Sequence, residues 1–207
     1  MKQGICLVGA GGSAKSVYQL LEHMGRANEV IAFLESADCW QPRSLYGREV
    51  RSIETFEPER HQALIALGSS EARARMALLL PPHTEYVSLI HPLTTVFGPD
   101  EFQLGPGSII FPSCLISRGV SIGAHSVVMA GCILGHDSQI GDFFTTASRL
   151  NLGGECRLGH SVYCGMSVSI RDKTSICDQA VIGMGAVVIK DISEPGVYAG
   201  NPARKIR

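Results

Sequence analysis

The sequence predicts two folds in one chain: a small Rossmann-like α/β domain, followed by a parallel β-helix of hexapeptide type. The β-helix is predicted by an apolar register that repeats every six residues from Leu104 to Val188 without an insertion. The α/β domain is predicted by an apolar strand that enters a glycine loop and then a helical pattern. We therefore place the α/β domain at 1–86, a linker at 87–103, the β-helix at 104–192 and a terminal tail at 193–207.

Each six-residue rung of such a β-helix supplies one short strand and one corner, so that three rungs close a triangular coil. Residues 18 apart should then stack, and this sorts the inward positions into three columns. Thr146 and Cys164 are the two inward residues that are not Leu, Ile or Val, and they are neighbours in one column. Two explanations stay open for them: small residues packed in a crowded corner, or a widening beside a functional groove.

Composition excludes some classes of function. The net charge is −1, and Lys and Arg are scattered apart from Arg204, Lys205 and Arg207, which argues against a nucleic-acid or membrane-surface protein. No apolar run approaches the roughly 20 residues that a membrane span needs. Residues 1–8 resemble a first β-strand more than a signal peptide, so we expect a cytoplasmic protein.

The cysteines also indicate a reducing compartment. The chain has seven of them, an odd number, and no C-x-x-C pair. Cys114 and Cys132 are 18 apart and should stack in neighbouring coils, where we expect two thiols rather than a disulfide.

The glycine loop of the first domain suggests a phosphate site. Gly9, Gly11 and Ala14 satisfy the G-x-G-x-x-G/A pattern, in which main-chain N–H groups approach an anion at a helix N-terminus. A second strand at 29–34 ends at Glu35, at the distance where an acidic residue commonly meets a ribose or a base. The alternative is a tight strand-to-helix turn that binds nothing.

Further strands at 62–67 and 86–90 and a helix at 71–80 complete a β-α-β-β-α-β domain. Its size suits a mononucleotide or a nucleotide-sugar better than a nicotinamide dinucleotide, since the chain has no second catalytic α/β domain. The residues that we expect to contact this substrate are Gly11, Gly12, Ser13, Lys15, Glu35, Ser36 and Gly68.

The candidate catalytic residues of the β-helix are His136 and Asp137. A histidine can take a proton from an attacking amine or hydroxyl, and a neighbouring carboxylate can orient it. Gly154 should lie one coil above His136 and leave space beside the ring. The alternative is an ordinary solvated histidine.

Other histidines receive structural interpretations. His160 is predicted to lie between Asp142 and Asp178 in a charge ladder that crosses the coils. His125 and His91 have no comparable neighbours, and we assign them structural or surface roles. No Cys/His cluster has the spacing of metal ligands, so no metal is expected.

The chain resembles the bacterial sugar O/N-acyltransferases of the sialic-acid O-acetyltransferase type, which include nucleotide-linked amino-sugar N-acetyltransferases. Four motifs carry the resemblance across the whole chain. They are Gly9-Ala10-Gly11-Gly12-Ser13-Ala14-Lys15, Gly68-Ser69-Ser70, Gly135-His136-Asp137 and Gly196-Val197-Tyr198-Ala199-Gly200-Asn201-Pro202-Ala203.

The resemblance implies a left-handed β-helix, a homotrimer, and acetyl-CoA as co-substrate in a groove between subunits. It implies that the first domain binds a nucleotide-sugar, that His136 is the general base and that Asp137 is its acidic companion. It also implies that the terminal tail covers CoA. The cofactor contacts implied in this way are Thr145, Met166, Met184, Asn201, Pro202 and Ala203.

The sequence departs from the pattern of the family in three ways. Ser13 stands where the loop usually has a histidine, Glu35-Ser36 replaces two adjacent acids, and Thr145 replaces a second histidine on the cofactor side. The resulting hypothesis is an acetyl-CoA-dependent N-acetyltransferase that acts on a nucleotide-linked 4-amino-4,6-dideoxy sugar in surface glycan biosynthesis. The alternatives are a sugar O-acetyltransferase and a non-catalytic trimeric scaffold that binds nucleotides.

Overall fold

The computed structural model describes residues 2–207 and divides into two compact units, with the boundary between Ser88 and Leu89. In the first unit, a parallel sheet carries the glycine loop. Its elements are β1 (Ile5–Val8), α1 (Gly12–His23), β2 (Val30–Glu35), β3 (Arg43–Leu45), β4 (Arg48–Ser52), β5 (Gln62–Ile65) and α2 (Ser70–Leu79), with 3-10 turns at Ala27–Glu29 and Ile53–Thr55.

The sheet has the order β3-β4-β2-β1-β5, with β1 parallel to both β2 and β5. Strand β1 is buried throughout, as expected for a central strand of a parallel sheet. Helix α1 packs through Ala14, Val17, Tyr18 and Leu21, whose helical spacing forms one apolar stripe. The carboxyl ends of β1 and β2 therefore lie next to the start of α1. Ligands bind at the carboxyl ends of the strands in folds of this type.

Two features of this unit differ from the prediction. The hairpin of β3 and β4 was not predicted, because its strands are short, charged and mostly outside the core. Its turn is made by Tyr46 and Gly47, both with positive φ. The predicted strand at 86–90 is divided: Tyr86 makes only an isolated bridge to Ala63, whereas Leu89–Ile90 belongs to the second unit.

The second unit is a parallel β-helix with three faces. Face 1 consists of β6 (Leu89–Ile90), β9 (Ile109–Ile110), β12 (Val127–Val128), β15 (Thr145–Thr146), β18 (Tyr163–Cys164), β21 (Val181–Ile182), β23 (Val197–Ala199) and β24 (Arg204–Lys205). Face 2 consists of β7 (Thr95–Val96), β10 (Leu115–Ile116), β13 (Ile133–Leu134), β16 (Asn151–Leu152), β19 (Ser169–Ile170) and β22 (Val187–Val188). Face 3 consists of β8 (Gln103–Leu104), β11 (Ser121–Ile122), β14 (Gln139–Ile140), β17 (Arg157–Leu158) and β20 (Ser175–Ile176).

The predicted stacking of residues 18 apart is confirmed along the repeat. Val128 pairs with Thr146, and Thr146 pairs with Cys164, in parallel register. Thr146 and Cys164 are both completely buried in the apolar interior. They are therefore small residues packed inside the coil, which agrees with the first explanation and not with a widening beside a groove.

The β-helix is longer at both ends than predicted. The expected linker at 87–103 instead contains β6, β7 and the start of β8. Val96 pairs with Ile116, 20 residues later, because the 3-10 turn at Pro99–Glu101 adds two residues to this coil. In the expected tail, Tyr198 pairs with Ile182, only 16 residues earlier. The last coil is therefore two residues shorter than the others, and its strand does not fit the six-residue spacing.

All seven cysteines are free thiols within residues 2–207, as expected. The thiols of Cys114 and Cys132 donate to the carbonyl oxygens of Met129 and Ala147, at 3.3 and 3.5 Å. Burial raises the pKa of Cys6 to about 11. Cys6 is therefore a packing residue, since a protonated and buried thiol is a poor nucleophile.

Arg73 of α2 is completely buried and organises the loop before its helix. Its Nη1 donates to the carbonyl oxygens of Leu67 and Gly68, at 3.0 and 3.1 Å. Burial lowers the pKa of the guanidinium to about 10. The loop at Leu67 and Gly68, which faces the glycine loop, is thus held in place by hydrogen bonds from the guanidinium group of Arg73.

Replacing Arg73 by alanine should lower the free energy of unfolding by about 3 kcal/mol, because the carbonyl groups of Leu67 and Gly68 lose a charged donor and a completely buried side chain is removed. Urea unfolding followed by the fluorescence of Trp40, which lies in the same unit, measures this loss. Arg75→Ala is the matched control, since Arg75 is exposed on the same helix. Equal midpoints for the two variants would contradict the role of Arg73.

Candidate active site

His136 and Asp137 lie at the corner between faces 2 and 3, directly after β13. The main-chain N–H of Asp137 donates to the carbonyl oxygen of Arg118 one coil below, at 2.9 Å. The carbonyl oxygen of His136 accepts from Glu155 one coil above, at 2.7 Å. The β-helix ladder thus fixes the main chain of both residues.

The side chains of His136 and Asp137 form a hydrogen-bonded pair. Nδ1 of His136 lies 2.9 Å from Oδ2 of Asp137, and both side chains are more than half exposed. A carboxylate can only accept, so this bond assigns the proton to Nδ1 and leaves the lone pair on Nε2. Asp137 adopts the left-handed conformation, with φ +58°, as do several other corner residues of the β-helix.

Two glycines make room for the pair. A Cβ on Gly154 would lie 2.6 Å from Nε2 of His136, and a Cβ on Gly119 would lie 2.4 Å from Oδ1 of Asp137. The basic nitrogen therefore occupies the space that Gly154 leaves free, as the sequence predicted. The arrangement presents an exposed, oriented imidazole whose free nitrogen can accept a proton.

The stack predicted around His160 exists, with Nδ1 of His160 3.4 Å from Oδ2 of Asp142, but the hydrogen bonds of its side chains are made to main-chain N–H groups. Nδ1 of His160 accepts from the main-chain N–H of Asp142, at 3.0 Å. Asp178 accepts from the main-chain N–H of His160 at 2.8 Å, and Asp142 accepts from Ala124 at 2.7 Å. Each side chain therefore caps a main-chain donor one coil below, and Nδ1 of His160 carries no proton in this bond.

The two remaining histidines of the β-helix are buried, in agreement with structural roles. His125 stacks on Phe143, with ring centroids 5.3 Å apart. Nδ1 of His91 accepts from the main-chain N–H of Leu93, at 3.1 Å. Neither ring offers an exposed base.

Five of the six expected cofactor residues lie at the corner between faces 1 and 2. Met166 and Met184 follow β18 and β21 by two residues and are exposed. The turn that contains Asn201, Pro202 and Ala203 closes over the same corner, because Ala203 donates to Val187 and Val187 donates to Gly200. Next to Met166 on this corner is an open groove of 640 Å³ whose lining includes Arg149 and three serines.

Thr145 lies elsewhere, at the first position of β15 on face 1, and is 8% exposed. His136 is also separate from the cofactor residues, since face 2 lies between its corner and theirs. In one chain, the base and the expected cofactor corner therefore do not converge.

The glycine loop of the first unit borders a pocket of 240 Å³. Of the expected substrate residues, Gly11, Glu35 and Ser36 line it. A Cβ on Gly11 or Gly12 would meet nothing within 4 Å, so the loop is open to a ligand. Gly11 caps α1 without a side-chain hydrogen bond, which leaves the N-terminal N–H groups of the helix available to an anion.

The remaining expected residues lie near this loop. Ser13 and Lys15 are exposed in the first turn of α1. Gly68 faces Ser13: a Cβ at Gly68 would lie 2.8 Å from the Ser13 hydroxyl oxygen. Lys15 does not line the pocket, but its position at the helix N-terminus suits a phosphate.

Two arginines were not predicted. Arg43 of β3 donates to Oε1 of Glu35 at 2.7 Å, and Arg75 of α2 lines the pocket. A hydrogen bond from Ser36 holds the pKa of Asp38 below its ordinary value, and the more distant Arg75 adds to the effect. These residues are remote from the glycine motif in sequence, so no local pattern indicated them.

Within residues 2–207, no group of three or more His, Cys, Asp or Glu side chains is placed to hold a metal ion. The same described residues include no helix with the length and apolarity that crossing a membrane requires.

The chain is similar to several known proteins. Residues 4–79 match the family described as the PglD N-terminal domain. GDP-perosamine N-acetyltransferase from Escherichia coli is 30% identical over 108 residues, 52% of this chain and 48% of that protein. Serine acetyltransferase 2 from Arabidopsis thaliana is 29% identical over 140 residues, 67% of this chain and 38% of that protein. The chain thus spans less than half the length of these curated relatives.

A solved structure shares the whole fold. A variant of perosamine N-acetyltransferase from Caulobacter crescentus, in complex with CoA and GDP-perosamine, superposes with a TM-score of 0.89 at 22% identity, over 99% of this chain and 97% of that one. Residues 4–79 therefore match the PglD N-terminal domain family, and the whole chain shares the fold of this structure, an α/β domain followed by a left-handed β-helix.

Proposed function

We propose that the protein transfers an acetyl group from acetyl-CoA to the amine of a nucleotide-linked 4-amino-4,6-dideoxy sugar. The observation that carries this proposal is the His136–Asp137 pair, whose 2.9 Å bond leaves Nε2 free beside Gly154. The open glycine loop and the pocket beside Glu35 support binding of the substrate through a nucleotide group. The names of relatives that bind CoA and GDP-perosamine agree with both the acetyl donor and the nucleotide-sugar acceptor.

The reaction follows from the free nitrogen of His136. The neutral sugar amine attacks the thioester carbonyl carbon, and Nε2 of His136 accepts the proton that the nitrogen loses. The carbon–sulfur bond then breaks, and the departing sulfur takes the proton from Nε2 to become the CoA thiol, which restores the neutral imidazole. The products are an amide and CoA. Asp137 holds Nδ1–H and stabilises the imidazolium that forms, as a carboxylate does for a catalytic histidine.

We propose that acetyl-CoA lies along the corner that carries Met166, Met184 and the turn at Asn201, Pro202 and Ala203, with Thr145 on the adjoining face. Because this corner and His136 are separated by face 2 within one chain, we infer that a homotrimer joins the corner of one chain to the base of the next. Light scattering should then give three times 22.2 kDa, about 67 kDa. A stable monomer would contradict a site shared between chains.

We place the reaction in the cytoplasm and in surface glycan biosynthesis. The free thiols within residues 2–207 support a reducing compartment. The glycan role follows from the kind of acceptor, an amino sugar activated by a nucleotide.

A hydroxyl acceptor is the second candidate, because an exposed imidazole with a free nitrogen can deprotonate an alcohol as well as an amine. The test is CoA release from acetyl-CoA with UDP-, dTDP- and GDP-linked 4-amino-4,6-dideoxy sugars and with hydroxy sugars. Release with an amino sugar supports N-acetylation, and release with hydroxy sugars alone supports O-acetylation. Nucleotide binding without CoA release with any acceptor would contradict both activities and favour a non-catalytic scaffold.

A further inference from the structure

We propose that the pocket beside Glu35 selects a guanine nucleotide. The inference rests on the proposed nucleotide-sugar acceptor and adds the identity of its base. It depends on one carboxylate, on the shape of the pocket around it and on the hydrogen-bonding edges of the four bases.

Glu35 is anchored by one oxygen and lacks a partner at the other. Its Oε1 accepts from Arg43 at 2.7 Å, which fixes the side chain at the end of β2. Its Oε2 is buried and has no hydrogen-bond partner among the described residues. A buried carboxylate oxygen without a donor is costly, so a ligand that brings N–H donors gains by satisfying it.

The pocket around Glu35 suits a planar base better than a sugar. Aliphatic residues of β1, of β2, of the loop after β5 and of α2 line the pocket. They favour contact with a flat, weakly hydrated ring. Arg75 adds a donor to the same lining. The aliphatic residues are Val8, Leu34, Leu67, Ala72 and Met76.

Guanine alone among the common bases presents two adjacent donors, N1–H and the 2-amino group, next to a carbonyl oxygen. A carboxylate can accept both donors in a bidentate arrangement. Uracil and thymine place a single N–H between two carbonyl oxygens, so the second carboxylate oxygen would meet an acceptor. Adenine and cytosine place a ring-nitrogen lone pair beside their amino group, with the same result. Arg75 is suited to the guanine carbonyl oxygen, since arginine only donates.

The experiment measures binding of GDP, UDP, dTDP and ADP to the full chain by calorimetry. These ligands carry no amine acceptor, so the measurement is independent of acetyl transfer. We expect GDP to bind at least about 10-fold more tightly than the others, the discrimination typical of a bidentate contact to a base. Equal or tighter binding of UDP or dTDP would overturn the inference.

Glu35→Gln provides a test that misfolding cannot imitate. An amide offers one acceptor and one donor, and xanthine carries a carbonyl where guanine has the 2-amino group. The variant should therefore lose GDP affinity by about 10-fold or more and prefer xanthosine diphosphate. Glu49→Gln is the control: Glu49 also accepts from an arginine, Arg51, at 2.7 Å, and lies outside the pocket. Equal weakening of every nucleotide by Glu35→Gln would assign Glu35 to the ribose and overturn the base contact.

The outcomes also separate this inference from the proposed function. Acetyl transfer to a UDP- or dTDP-linked sugar in preference to a GDP-linked one would overturn guanine selection and leave the activity standing. A GDP preference that switches in the variant, without CoA release from any acceptor, would support guanine selection and remove the activity.

Discussion

Replacing His136 by alanine should lower the rate of CoA release by about 100-fold or more, because the variant loses the group that accepts the proton of the attacking amine. The loss should fall on kcat, while the KM for the nucleotide-sugar changes little, since the nucleotide pocket belongs to the other unit of the chain. Steady-state kinetics with a thiol reagent measures both constants.

His160→Ala is the matched control for this variant. Both imidazoles are 60% exposed at a corner of the β-helix, and each has an aspartate within 3.4 Å of its Nδ1. His160, however, uses Nδ1 to cap a main-chain N–H rather than to hold a proton for a carboxylate. Its variant should keep its activity. Turnover that survives His136→Ala, or falls equally in both variants, would remove His136 from its role.

Gly154→Ala should lower CoA release by about 10-fold or more without a large change in stability. The new Cβ would lie 2.6 Å from Nε2 of His136 and would displace the ring from its position. Displacement of a catalytic group by about 1 Å can cost a factor of this size or more. The same rung position holds Ala124 and Ala130 in other coils, so the fold accepts a methyl group there.

The measurement for Gly154→Ala pairs kcat with the thermal midpoint. A fall in kcat at an unchanged midpoint is the expected result. Activity equal to that of the parent chain would show that the base does not depend on the space that this glycine leaves free. A large fall in the midpoint would instead show that the glycine serves the fold.

The β-helix could be predicted from sequence because each rung repeats the same local physics. An aliphatic residue every six positions must point inward, so the columns through Val128, Thr146 and Cys164 follow from spacing alone. The ends could not be predicted in this way. A two-residue insertion at Pro99–Glu101 and a two-residue contraction before Tyr198 break the spacing while the strand pairing continues.

The candidate sites were predictable to different degrees. The proximity of His136, Asp137 and Gly154 follows from the stacking of residues one coil apart, and the structure agrees. The environment of Glu35 does not follow from any spacing, because Arg43 reaches it from an unpredicted edge strand. The chemistry of His160 also depended on geometry, since main-chain donors compete with carboxylates for its ring nitrogen.

The central claim is that this chain joins an acetyl group to a sugar amine. The most direct measurement incubates the protein with acetyl-CoA and an equal mixture of a nucleotide-linked 4-amino-4,6-dideoxy sugar and its 4-hydroxy counterpart, and then identifies the products by mass spectrometry. The account predicts an amide on the amino sugar, one CoA released for each amide, and an unchanged hydroxy sugar. Acetylation of the hydroxy sugar alone, or no product although both co-substrates bind, would contradict it.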